Sequence, residues 1–352
     1  MGILGNIFKK AKYKGYFEIQ ISAIEKLNEY AVKVEFLIPD KLSSNFKFIP
    51  GQYINMLKEI DGKEERRSYS ICSGLSEQLA IGVKRVEQGV VSNWFVKNAK
   101  QGDIIYLSKP QGNFTVPNGA KKIAALAAGS GITPILSILN SKTDDLDIEL
   151  LYGNKNKQES MFLSEISAMT GIKSQLFYDK NVEENAIEGR IDKENLTKSI
   201  KSDLSFLQND AFMICGPEEM ILGCIETLAF FGVAKQKIIY ELFTTPVSLG
   251  VEIKTEQHSG SSEVSVVLDD EAFEVTITGD SKSILDVVED EGMDAPYSCR
   301  GGVCCSCKAK VLDGSAGMKL NYSLTDEEVQ DGYILTCQAY PTSAKLKISF
   351  DE

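Results

Sequence analysis

The chain has 352 residues, of which 43% are hydrophobic and 25% are charged, a composition typical of a globular protein with two or three domains. Its net charge of −12 is concentrated near the end, where 17 acidic and 7 basic residues follow Val264. Such a surface argues against a nucleic-acid partner, and it is either a solvated face or a docking surface for a basic protein.

Taken in chain order, residues 1–14 are predicted to be a frayed tail, because they are too short for a signal peptide and lack a cleavage site. No apolar run approaches the ~20 residues that span a bilayer, so we expect a cytoplasmic protein. Residues 15–118 are predicted to be β structure, since "YFEIQISAIEKL", "YAVKVEFLIP" and "QLAIGVKRVE" alternate apolar and polar residues. The turn residues between them favour an antiparallel barrel or sandwich.

Residues 119–247 are predicted to be an α/β domain. The segment "KKIAALAAGSGITPILSIL" is typical of a buried strand, a glycine turn and a helix, and "DIELLYGN", "SQLFYD" and "AFMICGPEEM" supply further strands. Helical segments between these strands indicate a parallel sheet. Residues 248–263 are polar and are predicted to be a linker. Residues 264–352 then give a hairpin, a short helix that ends at Gly292, a cysteine-rich loop and a closing strand.

The cysteine-rich loop carries the most specific pattern in the chain. Cys299, Cys304 and Cys307 have the spacing C-x4-C-x2-C, and Cys337 follows about thirty residues later, which is typical of a plant-type [2Fe–2S] cluster. Clustered cysteines in the cytoplasm are more often metal ligands or catalytic groups than disulfides. The alternative is a zinc site of four cysteines, although zinc favours two C-x2-C pairs and only one is present. Cys305 is interpreted as a non-ligand.

The same residues resemble a known family. "APYSCRGGVCCSCKAKVLDG" and "GYILTCQAYP" resemble the plant-type ferredoxin domain, which implies a β-grasp fold. That family usually has a small residue where Cys305 stands, a difference that leaves the four ligands intact.

Two short motifs in residues 15–118 indicate a flavin site. "RRSYSICSG" contains Arg67, Tyr69 and Ser70, and "EQGVVSNWF" places Gly89 before Ser92 near a predicted helix start. A guanidinium group and free backbone N–H groups both suit phosphate. Together the motifs resemble the ferredoxin–NADP reductase superfamily.

That resemblance implies an FAD-binding β-barrel, with FMN the less favoured flavin. It implies that Tyr69 lies against the isoalloxazine, that Ser70 lies near its N5 and that Arg67 contacts the diphosphate. It also implies that the strand "VKRV", with Val83 and Lys84, lines the flavin.

The α/β domain carries the nucleotide motifs of the same superfamily. "AAGSGITPILS" has a G-x-G-x-T-P pattern, in which Thr133 is expected to cap the helix and Pro134 to occupy its first turn. "CGPEEM" matches the second motif, in which Cys215 faces the nicotinamide, although a buried small cysteine is the alternative. The nucleotide-binding residues of the two motifs are Gly129, Gly131, Thr133, Pro134, Gly216 and Pro217. Downstream, "YELFTT" places Glu241 and Phe243 where related proteins have a carboxylate and an aromatic ring near the flavin edge.

The choice of nucleotide depends on the strand end at Asn154. Lys155 and Lys157 follow it without an adjacent carboxylate, which favours the 2′-phosphate of NADPH over NADH. Arg190 is a further candidate nucleotide contact.

The domain order resembles that of oxygenase reductases, and most of all the reductase components of phenylacetyl-CoA epoxidases and their relatives. The resemblance implies that electrons pass from NAD(P)H through the flavin and the cluster to an oxygenase such as a di-iron enzyme. Ser70, Cys215 and Glu241 would be the catalytic side chains. A reductase for another acceptor, such as a hybrid-cluster protein, and an iron–sulfur redox sensor remain open.

Overall fold

The computed structural model describes residue 13, residues 15–182 and 185–246, residue 258, and residues 260–278 and 282–352. The predicted tail, apart from residue 13, and most of the predicted linker lie outside the described residues. Within the described parts, three separate sheets correspond to the three predicted domains, which we call the barrel domain, the α/β domain and the C-terminal domain. No helix there is both long and apolar enough to cross a membrane.

The barrel domain is a six-stranded antiparallel sheet in the order β4-β3-β6-β1-β2-β5. A bridge between Ile71 and Ile81 joins the chain just after β4 to β5, so the sheet closes on itself. The alternating strands direct one apolar face inward, as predicted. The elements are β1 Tyr16–Asn28, β2 Ala31–Leu37, β3 Tyr53–Ile60, β4 Lys63–Ser70, β5 Ala80–Lys84, α1 Val90–Lys97 and β6 Ile104–Ser108.

The α/β domain has a six-stranded parallel sheet in the order β10-β9-β8-β7-β11-β12, which confirms the prediction. Its central strands are nearly continuous apolar runs because helices cover both faces. The elements are β7 Lys122–Ala128, α2 Ile132–Asn140, β8 Asp147–Asn154, α3 Leu163–Ala168, β9 Ile172–Tyr178, β10 Ala186–Glu188, α4 Lys193–Ser202, β11 Ala211–Cys215, α5 Glu218–Phe230 and β12 Ile238–Glu241.

The start of helix α2 differs from the prediction at one residue. The helix begins at Ile132 with Gly131 at the capping position, so the expectation that Thr133 caps it is wrong. A short 3-10 turn over Gly129–Gly131 leads directly into the helix and moves its start forward. The Thr133 hydroxyl instead donates to the Ser130 carbonyl oxygen at 2.9 Å, while Pro134 lies in the first turn as predicted.

The C-terminal domain is a mixed five-stranded sheet in the order β14-β13-β17-β15-β16. Strand β13 begins at Ser261, three residues inside the predicted linker. Gly292 follows helix α6 with a φ of +82°, which agrees with the predicted helix end. The elements are β13 Ser261–Leu268, β14 Glu271–Thr278, α6 Ile284–Asp290, β15 Lys308–Met318, α7 Asp326–Gln330, β16 Tyr333–Leu335 and β17 Ala339–Ser349.

The barrel and α/β domains share one apolar core. Ala31, Cys72, Ala80 and Phe114 of the barrel are buried in the same cluster as helix α2 and strand β7. Burial of side chains from both domains in one cluster fixes the two sheets relative to each other.

Candidate functional site

A cavity of about 420 Å³ lies where the three domains meet. All three domains contribute to its wall, and a concave site between domains is typical of a cofactor site. Eleven of the residues singled out from the sequence line it: Arg67, Tyr69, Ser70, Lys84, Gly89, Ser92, Thr133, Glu241, Phe243, Cys299 and Cys304.

Strand β4 forms one side of the cavity and places the R-x-Y-S residues there. Arg67 is half-exposed, donates to the Arg66 carbonyl oxygen at 2.7 Å and pairs with Glu65 at 3.0 Å. The Tyr69 ring packs edge-on against Phe95, with ring centroids 5.6 Å apart. Burial raises the pKa of Tyr69, so its hydroxyl stays protonated near neutral pH. The guanidinium group of Arg67 and the packed ring of Tyr69 therefore lie on one wall of the cavity.

The turn before helix α1 forms a second wall. The Ser92 hydroxyl accepts the Val86 N–H at 3.1 Å, which holds the turn closed over the helix start. A Cβ atom at Gly89 would lie 2.7 Å from the Ser92 Oγ, so only glycine fits this turn without displacement. The N–H groups of the first helical turn have no partner within the helix, and this end of α1 lies at the cavity.

Strand β5 shows which residues of "VKRV" reach the cavity. Gly82 and Lys84 line it, whereas Val83 is fully buried in the barrel core. Successive side chains of a strand point to opposite faces, so the Val83 side chain cannot share the cavity wall with its neighbours. Burial lowers the pKa of Lys84.

Ser70 and Glu241 meet across the seam between the barrel and α/β domains. The Ser70 hydroxyl donates to the Glu241 Oε2 at 3.2 Å. Burial raises the pKa of Glu241 to about 8, although the Ser70 hydrogen bond opposes this shift. Cys215 is paired with Glu241 between β11 and β12, but its thiol is buried in the core and does not line the cavity. Burial also raises the pKa of Cys215, which keeps the thiol neutral.

The glycine turn after β7 packs closely against the loop after β11. A Cβ atom at Gly131 would lie 2.0 Å from the Cys215 carbonyl oxygen, and one at Gly216 would lie 2.6 Å from the Met220 Cε. Gly129 has a φ of +55°, in the left-handed region that favours glycine. The backbone of the turn after β7 and the backbone of the loop after β11 are therefore in close contact. They meet at the carboxyl edge of the sheet, where ligands of parallel α/β sheets bind.

Three predicted nucleotide residues lie along the same edge but outside the cavity. The side-chain amide of Asn154 is buried, and neither of its polar atoms has a hydrogen-bond partner. Lys155 is paired with Glu159 at 3.7 Å, so a carboxylate does lie near the cations that were taken to favour NADPH. Arg190 pairs with Asp179 at 2.9 Å.

The four predicted cluster ligands form two pairs of thiols. The Sγ atoms of Cys299 and Cys304 are 3.0 Å apart, and Cys307 and Cys337 are neighbours that shift each other's pKa in opposite directions. In the described part of the chain, no three cysteine, histidine or acidic residues converge on a single ion. Two pairs fit two irons held by two thiolates each better than they fit one tetrahedral zinc.

The remaining cysteine of the loop, Cys305, has a different environment. The Cys305 Sγ lies 3.6 Å from the Ser323 carbonyl oxygen, and the backbone N–H of Cys305 donates to the Tyr53 hydroxyl at 2.9 Å. Its side chain is thus hydrogen-bonded to a carbonyl oxygen outside the loop and not to the four predicted ligands.

The C-terminal domain contacts the barrel domain through polar groups that the sequence analysis did not single out. Arg66 pairs with Asp294 at 2.7 Å, and its guanidinium lies 4.7 Å from the centre of the Tyr297 ring. The hydroxyls of Ser68 and Ser298 are 2.9 Å apart. Arg66 and Ser68 lie on the same face of β4 as the motif residue Ser70, so period-two alternation was the signal that could have identified them.

Family models match all three domains. An oxidoreductase FAD-binding domain matches residues 18–116, an oxidoreductase NAD-binding domain matches residues 125–225, and a 2Fe-2S iron–sulfur cluster binding domain matches residues 266–342. The chain thus has the domains that bind a flavin, a nicotinamide nucleotide and a [2Fe–2S] cluster.

Individual proteins match nearly the whole chain. A subunit of the 1,2-phenylacetyl-CoA epoxidase of Escherichia coli strain K12 is 33% identical over 96% of this chain and 98% of its own. The ferredoxin reductase component of 3-ketosteroid-9-alpha-monooxygenase from Mycobacterium tuberculosis is 29% identical over 95% of this chain and 96% of its own. The solved phthalate dioxygenase reductase has a TM-score of 0.58 at 22% identity, over 96% of this chain and 98% of its own, and shows the same fold. The chain therefore belongs to the NAD(P)H-dependent flavin and iron–sulfur reductases of the ferredoxin–NADP reductase superfamily that carry a C-terminal plant-type ferredoxin domain.

Proposed function

We propose that this chain is the reductase component of an oxygenase, with a barrel domain over residues 15–118, an α/β domain over 119–247 and a C-terminal domain over 264–352. One observation carries the proposal. The cavity that Ser70 and Glu241 line on one side is lined by Cys299 and Cys304 on the other. A flavin held there would be adjacent both to the nucleotide loops and to the cluster ligands.

The residues of the cavity fit FAD. A bound flavin accepts a hydride as two electrons and passes electrons on singly, and a bound [2Fe–2S] cluster takes one at a time. Arg67 and the helix start at Gly89 and Ser92 would hold the diphosphate, because they present charge and free N–H groups. Tyr69 would lie against the ring system, since its own ring is fixed by packing on Phe95.

The two glycine motifs would hold the nicotinamide nucleotide. Gly129, Gly131 and Gly216 leave room for a pyrophosphate to approach the backbone, and Thr133, Pro134 and Pro217 shape the same loops. The unpartnered amide of Asn154 supports a polar ligand at this edge. We propose NADPH over NADH because Lys155 and Arg190 are exposed there, although each already has an acidic partner.

Four side chains would support hydride transfer. Ser70 would orient the flavin, and Glu241 would hold or release a proton at its carboxylate because its pKa lies near neutrality. Cys215 and Phe243 would bound the nicotinamide position, Cys215 from the buried strand end and Phe243 from the cavity wall.

The proposed acceptor is a di-iron oxygenase such as phenylacetyl-CoA epoxidase, in the cytoplasm. The 33% identity to a component of that enzyme over nearly the full length supports this choice. The eight cysteines, all unpaired, are consistent with a reducing compartment. The acidic residues after Val264 would favour a basic docking site on the acceptor.

The test uses the full chain reconstituted anaerobically with FAD, iron and sulfide. NADPH should bleach the flavin and cluster bands and then support reduction of cytochrome c, and NADH should do so more slowly. Holoprotein whose cluster stays oxidised while the flavin is reduced would contradict the proposal. Reduction of the cluster without rapid delivery to any protein acceptor would instead support a redox sensor.

A further inference from the structure

Tyr53 joins the flavin cavity to the cluster-binding loop. Its side chain is buried and lines the cavity, while its hydroxyl accepts the Cys305 N–H across the domain boundary at 2.9 Å. Cys305 lies between the ligands Cys304 and Cys307 in the sequence. Within the described residues, no other barrel side chain has a recorded hydrogen bond to the segment 299–307.

The backbone of Tyr53 is held in place from both sides. It is paired with Ser70 between β3 and β4, and it exchanges two backbone hydrogen bonds with Gln111. Gly112 is required next to it, because a Cβ atom there would lie 2.8 Å from the Tyr53 ring. The ring therefore has little freedom, and its hydroxyl is a fixed point for the loop to dock on.

The Cys305 N–H differs from its neighbours in direction. The Gly301 N–H points to the Cys299 Sγ at 3.4 Å, whereas the Cys305 N–H points to the Tyr53 hydroxyl of the barrel. Hydrogen bonds to the sulfurs stabilise the extra negative charge of a reduced cluster and so raise its reduction potential. An N–H that is engaged by a phenol makes no such contribution.

We propose that Tyr53 is a positioning residue for electron transfer, whose hydroxyl holds the cluster-binding loop at the cavity wall and keeps the Cys305 N–H away from the cluster sulfurs. This inference rests on the proposed function, since it assumes that electrons cross this wall. Arg66 and Ser68 strengthen the same interface between the barrel and C-terminal domains through their contacts with Asp294 and Ser298.

The test compares Tyr53→Phe with Tyr30→Phe in the full holoprotein. Tyr30 belongs to the same barrel but lies outside the cavity wall, with its ring against Arg85. In stopped-flow experiments with NADPH, Tyr53→Phe should slow cluster reduction relative to flavin reduction about fivefold, the factor that corresponds to one neutral hydrogen bond, because the loop is no longer held at the cavity wall and this outweighs the larger driving force. The cluster potential, titrated anaerobically and followed by EPR, should shift to more positive values. Tyr30→Phe should change neither quantity.

The inference is overturned if Tyr53→Phe matches wild type in both measurements, or if Tyr30→Phe changes them equally. A purely structural role would lower the unfolding temperature without moving the potential. Should Tyr53→Phe fail to retain its flavin, Asp294→Asn loosens the same interface from the other side. Cluster reduction at the wild-type rate in that variant would then overturn the inference. Failure of NADPH to reduce the wild-type cluster would contradict the proposed function, whereas the potential comparison needs only bound cluster and still tests Tyr53.

Discussion

The barrel domain contacts its two neighbours in different ways. Towards the α/β domain it contributes Phe114, Cys72 and small side chains to a shared apolar core. Towards the C-terminal domain it offers Arg66 and Ser68, which make one ion pair and one hydroxyl contact. Apolar cores are tightly packed and cooperative, whereas polar contacts between domains are weaker and exchange more readily with water. The barrel and α/β domains are thus joined by an apolar core, whereas the barrel and C-terminal domains are joined by polar contacts.

The largest expected effect separates the chemistry of these two parts. Cys337→Ser removes one of the four proposed cluster ligands, so we expect the cluster to be lost and NADPH-driven reduction of cytochrome c to fall to background. Direct reduction of ferricyanide by the flavin should survive, because the barrel and α/β domains do not depend on this ligand. Cys305→Ser is the matched control and should keep its cluster EPR signal. Loss of the cluster in the control instead would reverse the ligand assignment.

Phe114→Ala tests the apolar core that the barrel and α/β domains share. Phe114 is 3% exposed in the shared core, and its truncation should lower the free energy of unfolding by roughly 3–5 kcal/mol. Denaturant unfolding, followed by flavin fluorescence and far-UV circular dichroism, should show one shifted transition for both domains. Phe230→Ala, at a side chain that is 81% exposed, should change stability by less than about 0.5 kcal/mol. Separate transitions for the two domains would contradict a single unit.

The pH dependence of the free energy of unfolding probes Glu241, which contacts Ser70 at the boundary between the barrel and α/β domains. The pKa of Glu241 is raised to about 8 in the folded chain, so the unfolded state ionises first as the pH rises. Stability of the flavin-free protein should therefore be fully present below about pH 4.5 and decline until about pH 8. Glu241→Gln should remove this part of the slope. A Glu241→Gln protein with the wild-type slope would show that the group titrates normally.

The smallest effect is expected at the polar contact between the barrel and C-terminal domains. Asp294→Asn removes the anion that pairs with Arg66, and since the Asp294 side chain is 59% exposed we expect a loss of roughly 1 kcal/mol of docking free energy. Cluster reduction should slow a few-fold at low salt, and the difference from wild type should shrink in 0.5 M salt because the ion pair is screened. Asp313→Asn, in the same domain, is the charge-matched control. Equal effects from both substitutions would point to net charge and not to this contact.

The sequence predicted the elements that depend on local patterns. The alternation in "YFEIQISAIEKL" and the apolar run in "KKIAALAA" predicted strands where the structure has β1 and β7, and the cysteine spacing predicted the 2Fe-2S domain that the family model matches over residues 266–342. The prediction for Thr133 was wrong because a 3-10 turn begins the helix earlier than its residue preferences suggest. Val83 was assigned to the cavity as part of a motif, although strand alternation directs it to the core.

The contacts between domains could not be predicted in the same way. Tyr53 and Cys305 are 252 positions apart, and Arg66 and Asp294 are 228 apart, so neither pair leaves a local signal. The ion pair between Lys155 and Glu159 could not be predicted either, although the two residues are close in the sequence. Glu159 lies four residues beyond Lys155, and only the loop conformation brings the two together.

The three-domain wall of the cavity also has a consequence for how the protein is made. The chain is synthesised from its N-terminus, so the barrel and α/β walls exist before the wall that contains Ser298, Cys299 and Cys304. A nascent chain can take up its prosthetic group through the side that is still open. Once the C-terminal domain has folded over that side, we expect the flavin to dissociate more slowly. The C-terminal domain would then retain the flavin as well as carry electrons.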